Sequence, residues 1–103
     1  MNIIICGAGK VGFSISKQLA AQGHSISVID QSKEDIKKIN ETQEVKGIVG
    51  RATLPSVLEN AGASEADMII AVTKSDETNM IVCQLASSLF NISKKIARIR
   101  TKD

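Results

Sequence analysis

The stretch IIICGAGKVG, residues 3–12, decides the fold of this 103-residue chain. Its first four residues are apolar and run straight into a glycine, which predicts a strand over Ile3 to Cys6 that is buried on both faces of a sheet. Apolar residues at helical spacing follow as far as Gly23, and they predict a helix within Lys10 to Gln22. The chain therefore begins with a strand and a helix joined by a glycine-rich loop.

The same alternation of strand and helix continues along the chain. Further strands are predicted over Ser25 to Ile29 with Asp30 at its end, Lys46 to Val49, Asp67 to Thr73, and Lys95 to Arg100. Helices are predicted after the N-cap Ser32, over Leu54 to Ala61 with Pro55 in the first turn, and over Asp76 to Phe90. Because parallel strands need right-handed helical crossovers, we expect an α/β domain over residues 1–103, a Rossmann-like doubly wound parallel sheet of about five strands with helices on both faces.

Composition and charge exclude several classes of protein. The net charge is +2, and basic residues cluster only at Lys94, Lys95, Arg98, Arg100 and Lys102, which is too weak a field for nucleic-acid binding. No apolar run approaches the roughly 20 residues needed to cross a bilayer, and the start lacks a basic leader with a cleavage site. We therefore expect a cytoplasmic domain without membrane insertion.

Few side chains are suited to catalysis or metal binding. Cys6 and Cys83 have no partner at metal-ligand spacing and are expected to be small buried apolar residues, so no metal site is predicted. The chain has no Tyr, and its one histidine, His24, lies in a predicted turn where a solvated side chain is expected. These residues favour a binding protein over an enzyme.

The glycine loop GAGKVG, residues 7–12, connects the first strand to the first helix. Asp30 follows Gly12 by 18 residues, at the end of the second strand, as dinucleotide-binding folds require. In a fold of this kind, Gly7 would permit the tight turn and Gly9 would let a pyrophosphate approach the backbone. Gly12 would let the helix pack closely on the sheet. The alternative is a merely structural glycine turn.

The carboxylate of Asp30 bears on the choice of ligand. It can accept hydrogen bonds from ribose hydroxyls, and its charge repels a 2′-phosphate, so NAD(H) is favoured over NADP(H). ADP or ATP would satisfy the same contacts, and a solvated strand-end carboxylate is the alternative. Lys10, in the first helical turn, either contacts a phosphate or is solvated.

The segment TKSDE, residues 73–77, follows the fourth strand at the carboxyl edge of the predicted sheet. Open α/β sheets bind ligands at this edge, so Thr73 and Lys74 are candidates for contact with the nicotinamide half. Ser75 or Asp76 is expected instead to cap the following helix.

Five spaced motifs occur together in order along the chain. They are GAGKVG at 7–12, SVID at 27–30, GRAT at 50–53, AVTKSDETN at 71–79 and ARIR at 97–100. With these motifs the whole chain resembles the N-terminal nucleotide-binding domains of the RCK/KTN family, the regulators of bacterial potassium uptake. The resemblance implies a regulatory subunit that binds NAD(H) or ADP/ATP and couples it to transport gating.

The resemblance also implies roles for particular residues. It assigns the pyrophosphate to Gly7, Ala8, Gly9, Lys10 and Val11, the ribose to Asp30, the adenine pocket to Ala52 and Thr53, the far half of the ligand to Thr73 and Lys74, and a phosphate or a neighbouring subunit to Arg98. The family commonly has an aspartate where this chain has Arg51, so any role of that aspartate is absent here.

The resemblance further implies partners. These are a membrane-embedded potassium transport subunit and further copies of the chain, because such domains pair and form rings at the inner face of the membrane. Family domains usually add a sixth strand, so this chain resembles a truncated domain in which Ile96, Ile99 and the apolar side of the last helix are uncovered. Such surface favours a dimer or a larger species.

Two other functions remain open from the sequence. The chain resembles the cofactor half of an NAD-dependent dehydrogenase in its glycine loop, although no substrate domain with an acid or base is present. A methyltransferase-type domain binding S-adenosylmethionine is the third alternative, but without a pyrophosphate it would have less need of Gly12 and of the helix dipole.

Overall fold

Strands and helices alternate strictly in the computed structural model, which describes residues 1–100. The strands are β1 (Asn2–Cys6), β2 (Ser25–Asp30), β3 (Lys46–Val49), β4 (Met68–Ala71) and β5 (Lys94–Ala97). The helices are α1 (Lys10–Ala21), α2 (Lys33–Thr42), α3 (Pro55–Asn60) and α4 (Asp76–Phe90), with a 3-10 turn at Ala63–Glu65 before β4. Lys102, the last member of the basic cluster noted above, lies outside the described residues.

The five strands form one parallel sheet in the order β3-β2-β1-β4-β5. The chain runs outward from β1 to β3 and then returns to the other side of β1, so the order reverses between β1 and β4. In open α/β sheets the crevice above such a reversal is where ligands bind. The predicted Rossmann-like architecture is confirmed.

The central strand β1 is buried on both faces, as its apolar run predicts. Ile3 and Ile5 belong to the core on the side of α1 and α2, together with Ile36 and Ile39. The alternate residues of the strand, Ile4 and Cys6, belong to the core on the side of α3 and α4. Full burial of an isoleucine contributes roughly 1.5–3 kcal/mol, so this strand anchors both layers.

The last two strands are shorter than predicted, because side chains bind the backbone groups beyond their ends. After β4, the amide of Thr73 donates to Oδ1 of Asn79 at 2.9 Å instead of continuing the ladder. After β5, the amide of Arg100 donates to the Asp76 carboxylate at 2.9 Å. The predictions Asp67 to Thr73 and Lys95 to Arg100 are therefore corrected to Met68–Ala71 and Lys94–Ala97.

The two cysteines and the single histidine differ in how deeply they are buried. Cys6 is fully buried, and this burial, with a smaller effect of Cys83, raises the pKa of its thiol. Cys83 is only half-buried, so the prediction of a buried residue holds for Cys6 alone; burial raises the pKa of Cys83, and Lys95 opposes the shift. His24 is partly exposed to solvent, and its Nδ1 lies 3.0 Å from the terminal amine of Met1.

Candidate functional site

A cavity of about 710 Å³ opens at the carboxyl ends of the strands, where the strand order reverses. This volume lies within the range of about 300–1,000 Å³ typical of small-molecule sites. Four basic side chains and two acidic ones line it, so the field favours an anionic ligand. These charged residues are Lys10, Lys74, Arg98, Arg100, Asp30 and Asp35.

The three glycines of the loop have different geometric roles. Gly7 has a φ of +116°, and a Cβ there would lie 2.8 Å from the carbonyl oxygen of Val72, so only glycine fits this turn. A Cβ on Gly12 would lie 1.7 Å from the carbonyl oxygen of Gly7. Gly9 lines the cavity, and a Cβ there would meet no heavy atom of residues 1–100 within 4 Å apart from those of its own chain neighbours. The loop thus has no space for a side chain at Gly7 or Gly12, whereas at Gly9 it has space on the side of the cavity.

The helix that follows this loop begins without a cap. Gly9 is the N-cap of α1, no side chain within residues 1–100 caps it, and its first turn contains no acidic residue. The other two long helices have both a side-chain cap and acidic residues in the first turn. Ser32 caps α2 and Ser75 caps α4, and each first turn contains two acidic residues. The first N–H groups of α1 therefore have no side-chain cap as acceptor. Lys10 and Val11, the first two residues of the helix, line the cavity.

Asp30 is held rigidly at the end of β2. One carboxylate oxygen accepts from the amide of Ala8 at 2.7 Å, and the other accepts from the amide of Ser32 at 2.8 Å. The first bond joins β2 to the glycine loop across the sheet, and the second begins α2. Each carboxylate oxygen has a further lone pair, so the group can still accept hydrogen bonds from a ligand.

The opposite wall of the cavity is built from side chains around Asn79. This asparagine, fully buried in the first turns of α4, accepts from the amide and hydroxyl of Thr73 at 2.9 and 2.7 Å. Its amide nitrogen donates to the carbonyl oxygens of Thr73 and Arg98 at 3.2 and 2.8 Å. All four hydrogen-bonding positions of the amide group are used. Sequence reasoning assigned Asn79 no role, although it is a polar residue among the apolar positions of α4, Val82 and Ala86.

The chain after β5 closes this wall. The guanidinium of Arg98 donates to the Thr73 carbonyl at 3.2 Å, and that of Arg100 donates to the Lys74 carbonyl. Nε of Arg100 also lies 3.8 Å from the Asp76 carboxylate. This ion pair is partly exposed and contributes less than about 1 kcal/mol, so its effect is mainly to position the loop after β4.

Most of the residues predicted for the site come together at this cavity. Gly7, Gly9, Lys10, Val11, Asp30, Ala52, Thr73, Lys74 and Arg98 all line it. Ala8, Gly12 and Thr53 do not. Ala8 is buried and contributes its amide to Asp30, Gly12 packs against the carbonyl of Gly7, and Thr53 lies beyond Ala52, outside the cavity. Ser75 is confirmed as the cap of α4, since its hydroxyl accepts from the amide of Thr78 at 3.1 Å.

Residues 1–100 contain neither a candidate metal site nor a candidate membrane-spanning helix. No three His, Cys, Asp or Glu side chains in this part of the chain come together to hold a metal ion. None of its helices combines the length and the apolar character required to span a membrane.

The strand order, the glycine loop and the acidic residue ending β2 define a Rossmann-type α/β domain. The family model for the TrkA-N domain matches residues 3–103. The chain belongs to the TrkA-N domain family.

A curated relative agrees with this assignment, and solved structures share the fold. The Trk system potassium uptake protein TrkA of Azorhizobium caulinodans is 46% identical over 102 residues, which is 99% of this chain and 22% of that protein. The chain thus spans about a fifth of the length of this relative. The Kef CTD of Shewanella denitrificans in its AMP-bound form has a TM-score of 0.80 and 26% identity, with 92% of this chain and 57% of that one covered. A GsuK channel bound to NAD shares the fold, with a TM-score of 0.73 and 24% identity over 85% of this chain and 16% of that one.

Proposed function

We propose that residues 1–103 form the nucleotide-binding domain of a regulatory subunit of a potassium uptake system. The observation that carries the proposal is the uncapped start of α1, which faces a cavity that Asp30 also lines. An uncapped helix N-terminus with a positive dipole end is a favourable position for a phosphate group. The relatives named as potassium uptake proteins support the regulatory role.

Each part of the cavity suits one part of an adenine dinucleotide. The backbone from Gly9 to Val11, with the Lys10 ammonium, would bind the pyrophosphate. Asp30 would accept the ribose hydroxyls, and Ala52 would contact the adenine. Thr73, Lys74 and Arg98 would contact the far half of the ligand.

NAD(H) is the ligand that we propose first, and ADP or ATP is the alternative. The structural neighbours hold AMP in one case and NAD in another, and these ligands share the adenosine half. The cavity extends past this half as far as Arg98 and Arg100, which gives room for a second group. The Asp30 carboxylate would repel the 2′-phosphate of NADP(H).

A dehydrogenase is the less favoured alternative, and we propose no enzymatic activity. Neither a histidine nor a cysteine lines the cavity within residues 1–100. His24 precedes β2, at the opposite edge of the sheet. The relatives in Azorhizobium caulinodans and Vibrio alginolyticus carry the name of a potassium uptake protein.

The proposal includes partners. The subunit would lie in the cytoplasm against a membrane-embedded potassium transport subunit and would form a homo-oligomer. Met80, Leu89 and Ile96 are each more than half exposed, at 58, 55 and 51%, and a second protein surface would bury them. Light scattering tests this part, and a monomer at high micromolar concentration with and without nucleotide would contradict it.

Calorimetry with NADH tests the ligand site. Gly9→Val should abolish measurable binding, because the new side chain would project into the cavity while the fold is kept. Asp30→Asn should weaken NADH binding about tenfold and reduce the preference for NADH over NADPH, because the repelling charge is gone. Lys17→Ala, on the exposed part of α1, is the control that should bind as the parent chain does. Unchanged affinity in both site variants would refute the proposed ligand site.

A further inference from the structure

We propose that Asn79 is a positioning residue that shapes the part of the cavity for the far half of the ligand, and so decides how much more tightly NAD(H) binds than its adenosine half alone. The inference rests on the proposed nucleotide site and deepens it. The observation that carries it is the set of four hydrogen bonds that joins Asn79 to Thr73 and Arg98.

The backbone of Thr73 is held mainly by Asn79, with one further hydrogen bond from the Arg98 guanidinium to its carbonyl oxygen at 3.2 Å. Its amide and its carbonyl oxygen both bind the side chain of Asn79, so one asparagine replaces the sheet ladder at the second residue beyond β4. The Thr73 hydroxyl donates to the same Oδ1 and lies 3.1 Å from the carbonyl oxygen of Ser75. Thr73 lines the cavity and Asn79 does not, so the orientation of Thr73 is fixed by a residue outside the cavity lining.

Arg98 depends on the same asparagine twice. Its carbonyl oxygen accepts from Asn79 at 2.8 Å, and its guanidinium donates to the Thr73 carbonyl that Asn79 also binds. Nε of Arg98 is buried and has no acceptor among residues 1–100, so the guanidinium has little else to hold it. Loss of Asn79 would therefore loosen Thr73 and the guanidinium of Arg98 together, while the Arg98 amide keeps its bond to the Ala71 carbonyl at 2.9 Å.

The glycine loop and Asp30 do not share these contacts. Asp30 is held by Ala8 and Ser32, and the turn at Gly7 is held by the Ile29 carbonyl at 2.8 Å. The adenosine side and the far side of the cavity thus have separate supports. This separation predicts that Asn79 affects ligands that reach Thr73 and Arg98 and leaves shorter ligands unaffected.

The test compares the affinities of the full-length protein for two ligands, NADH and AMP. Calorimetry on Asn79→Asp, which keeps the shape and removes both donor bonds, and on Asn79→Ala should show NADH affinity reduced about tenfold or more and AMP affinity changed less than about twofold. Ser16→Ala is the matched control. Ser16 is equally buried and its hydroxyl bonds Gln43 at 2.8 Å, but it lies away from the cavity, so this variant should lose stability and keep the ratio of the two affinities.

Each outcome decides between the two proposals. A parent chain that binds neither NADH nor AMP would refute the proposed nucleotide site and this inference with it. A parent chain that binds both, with Asn79 variants that lose both ligands equally or lose neither, would refute only the positioning role. If neither Asn79 variant folds, Asn79→Ser replaces them, since it keeps a small polar side chain at the buried position but is too short to hold both Thr73 and the Arg98 carbonyl. It should weaken NADH and not AMP, and an equal effect on the two would overturn the inference.

Discussion

Helices α1 and α4 begin at the same edge of the sheet and against the same cavity, but their first turns are built in opposite ways. Each follows one of two adjacent central strands, β1 and β4. The first turn of α1 has neither a side-chain cap nor an acidic residue within the described chain, residues 1–100. The first turn of α4 has the cap Ser75, the acidic residues Asp76 and Glu77, and the buried Asn79.

The difference shows which end of the cavity is prepared for an anion. The N–H groups at the start of a helix need acceptors, and in α4 the chain supplies one of them through Ser75 while two carboxylates offset the dipole. In α1 nothing equivalent is present among the described residues, so water or a ligand must supply the acceptors. A phosphate group is expected at α1, and the wall near α4 is expected to recognise the remainder of the ligand.

The largest expected effect is on the stability of the fold, at the glycine loop before α1. Gly12→Ala should lower the free energy of unfolding by at least about 3 kcal/mol, because its Cβ would lie 1.7 Å from a backbone carbonyl that cannot move freely. Urea denaturation measures this change. Gly9→Ala is the control and should change stability by no more than about 1 kcal/mol. Equal effects of the two variants would contradict the different roles assigned to these glycines.

A smaller effect is expected when the first turn of α1 is given an acidic residue like those of α4. Lys10→Glu should weaken NADH binding about tenfold, since it replaces a cation with a charge that repels the pyrophosphate. The free protein should become slightly more stable, by about 0.3–1 kcal/mol, because the new carboxylate lies at the positive end of the dipole. Calorimetry and thermal denaturation measure the two changes. Lys17→Glu makes the same change of charge two turns further along α1, and a similar loss of affinity there would show that net charge alone is responsible.

The smallest expected effect follows when α4 is deprived of its cap like α1. Ser75→Ala should cost about 1 kcal/mol of stability, because the Thr78 amide loses its acceptor. NADH affinity should change less than about threefold, since the anion is bound at the other helix. Ser87→Ala, at an exposed position within α4, should not lower stability, because alanine is the better helix former. A loss of NADH affinity larger than that of Lys10→Glu would reverse the comparison.

Local pattern was enough to predict the order of elements, the parallel sheet and the glycine side of the site. An apolar strand that ends in glycines, a periodic helix and a strand-end Asp30 are features of neighbouring residues, and each limits the backbone without distant contacts. For the same reason Ser32 was recognisable as a cap, and the cap of α4 was narrowed to Ser75 or Asp76, of which the structure shows Ser75. Gly9, Lys10, Val11 and Asp30 line the cavity as expected.

The tertiary structure alone decided the other side of the site. Asn79 acquires its role only when α4 places it between Thr73 and the carbonyl oxygen of Arg98, 19 residues further along the chain. The ends of β4 and β5 were mispredicted for the same reason, because side chains from α4 take up the backbone groups that would have extended both strands. Ala8 likewise proved to support Asp30 through its amide, a contact that depends on β1 and β2 being neighbours. Hydrogen bonds between elements depend on how the elements pack, and residue spacing along the chain does not contain that information.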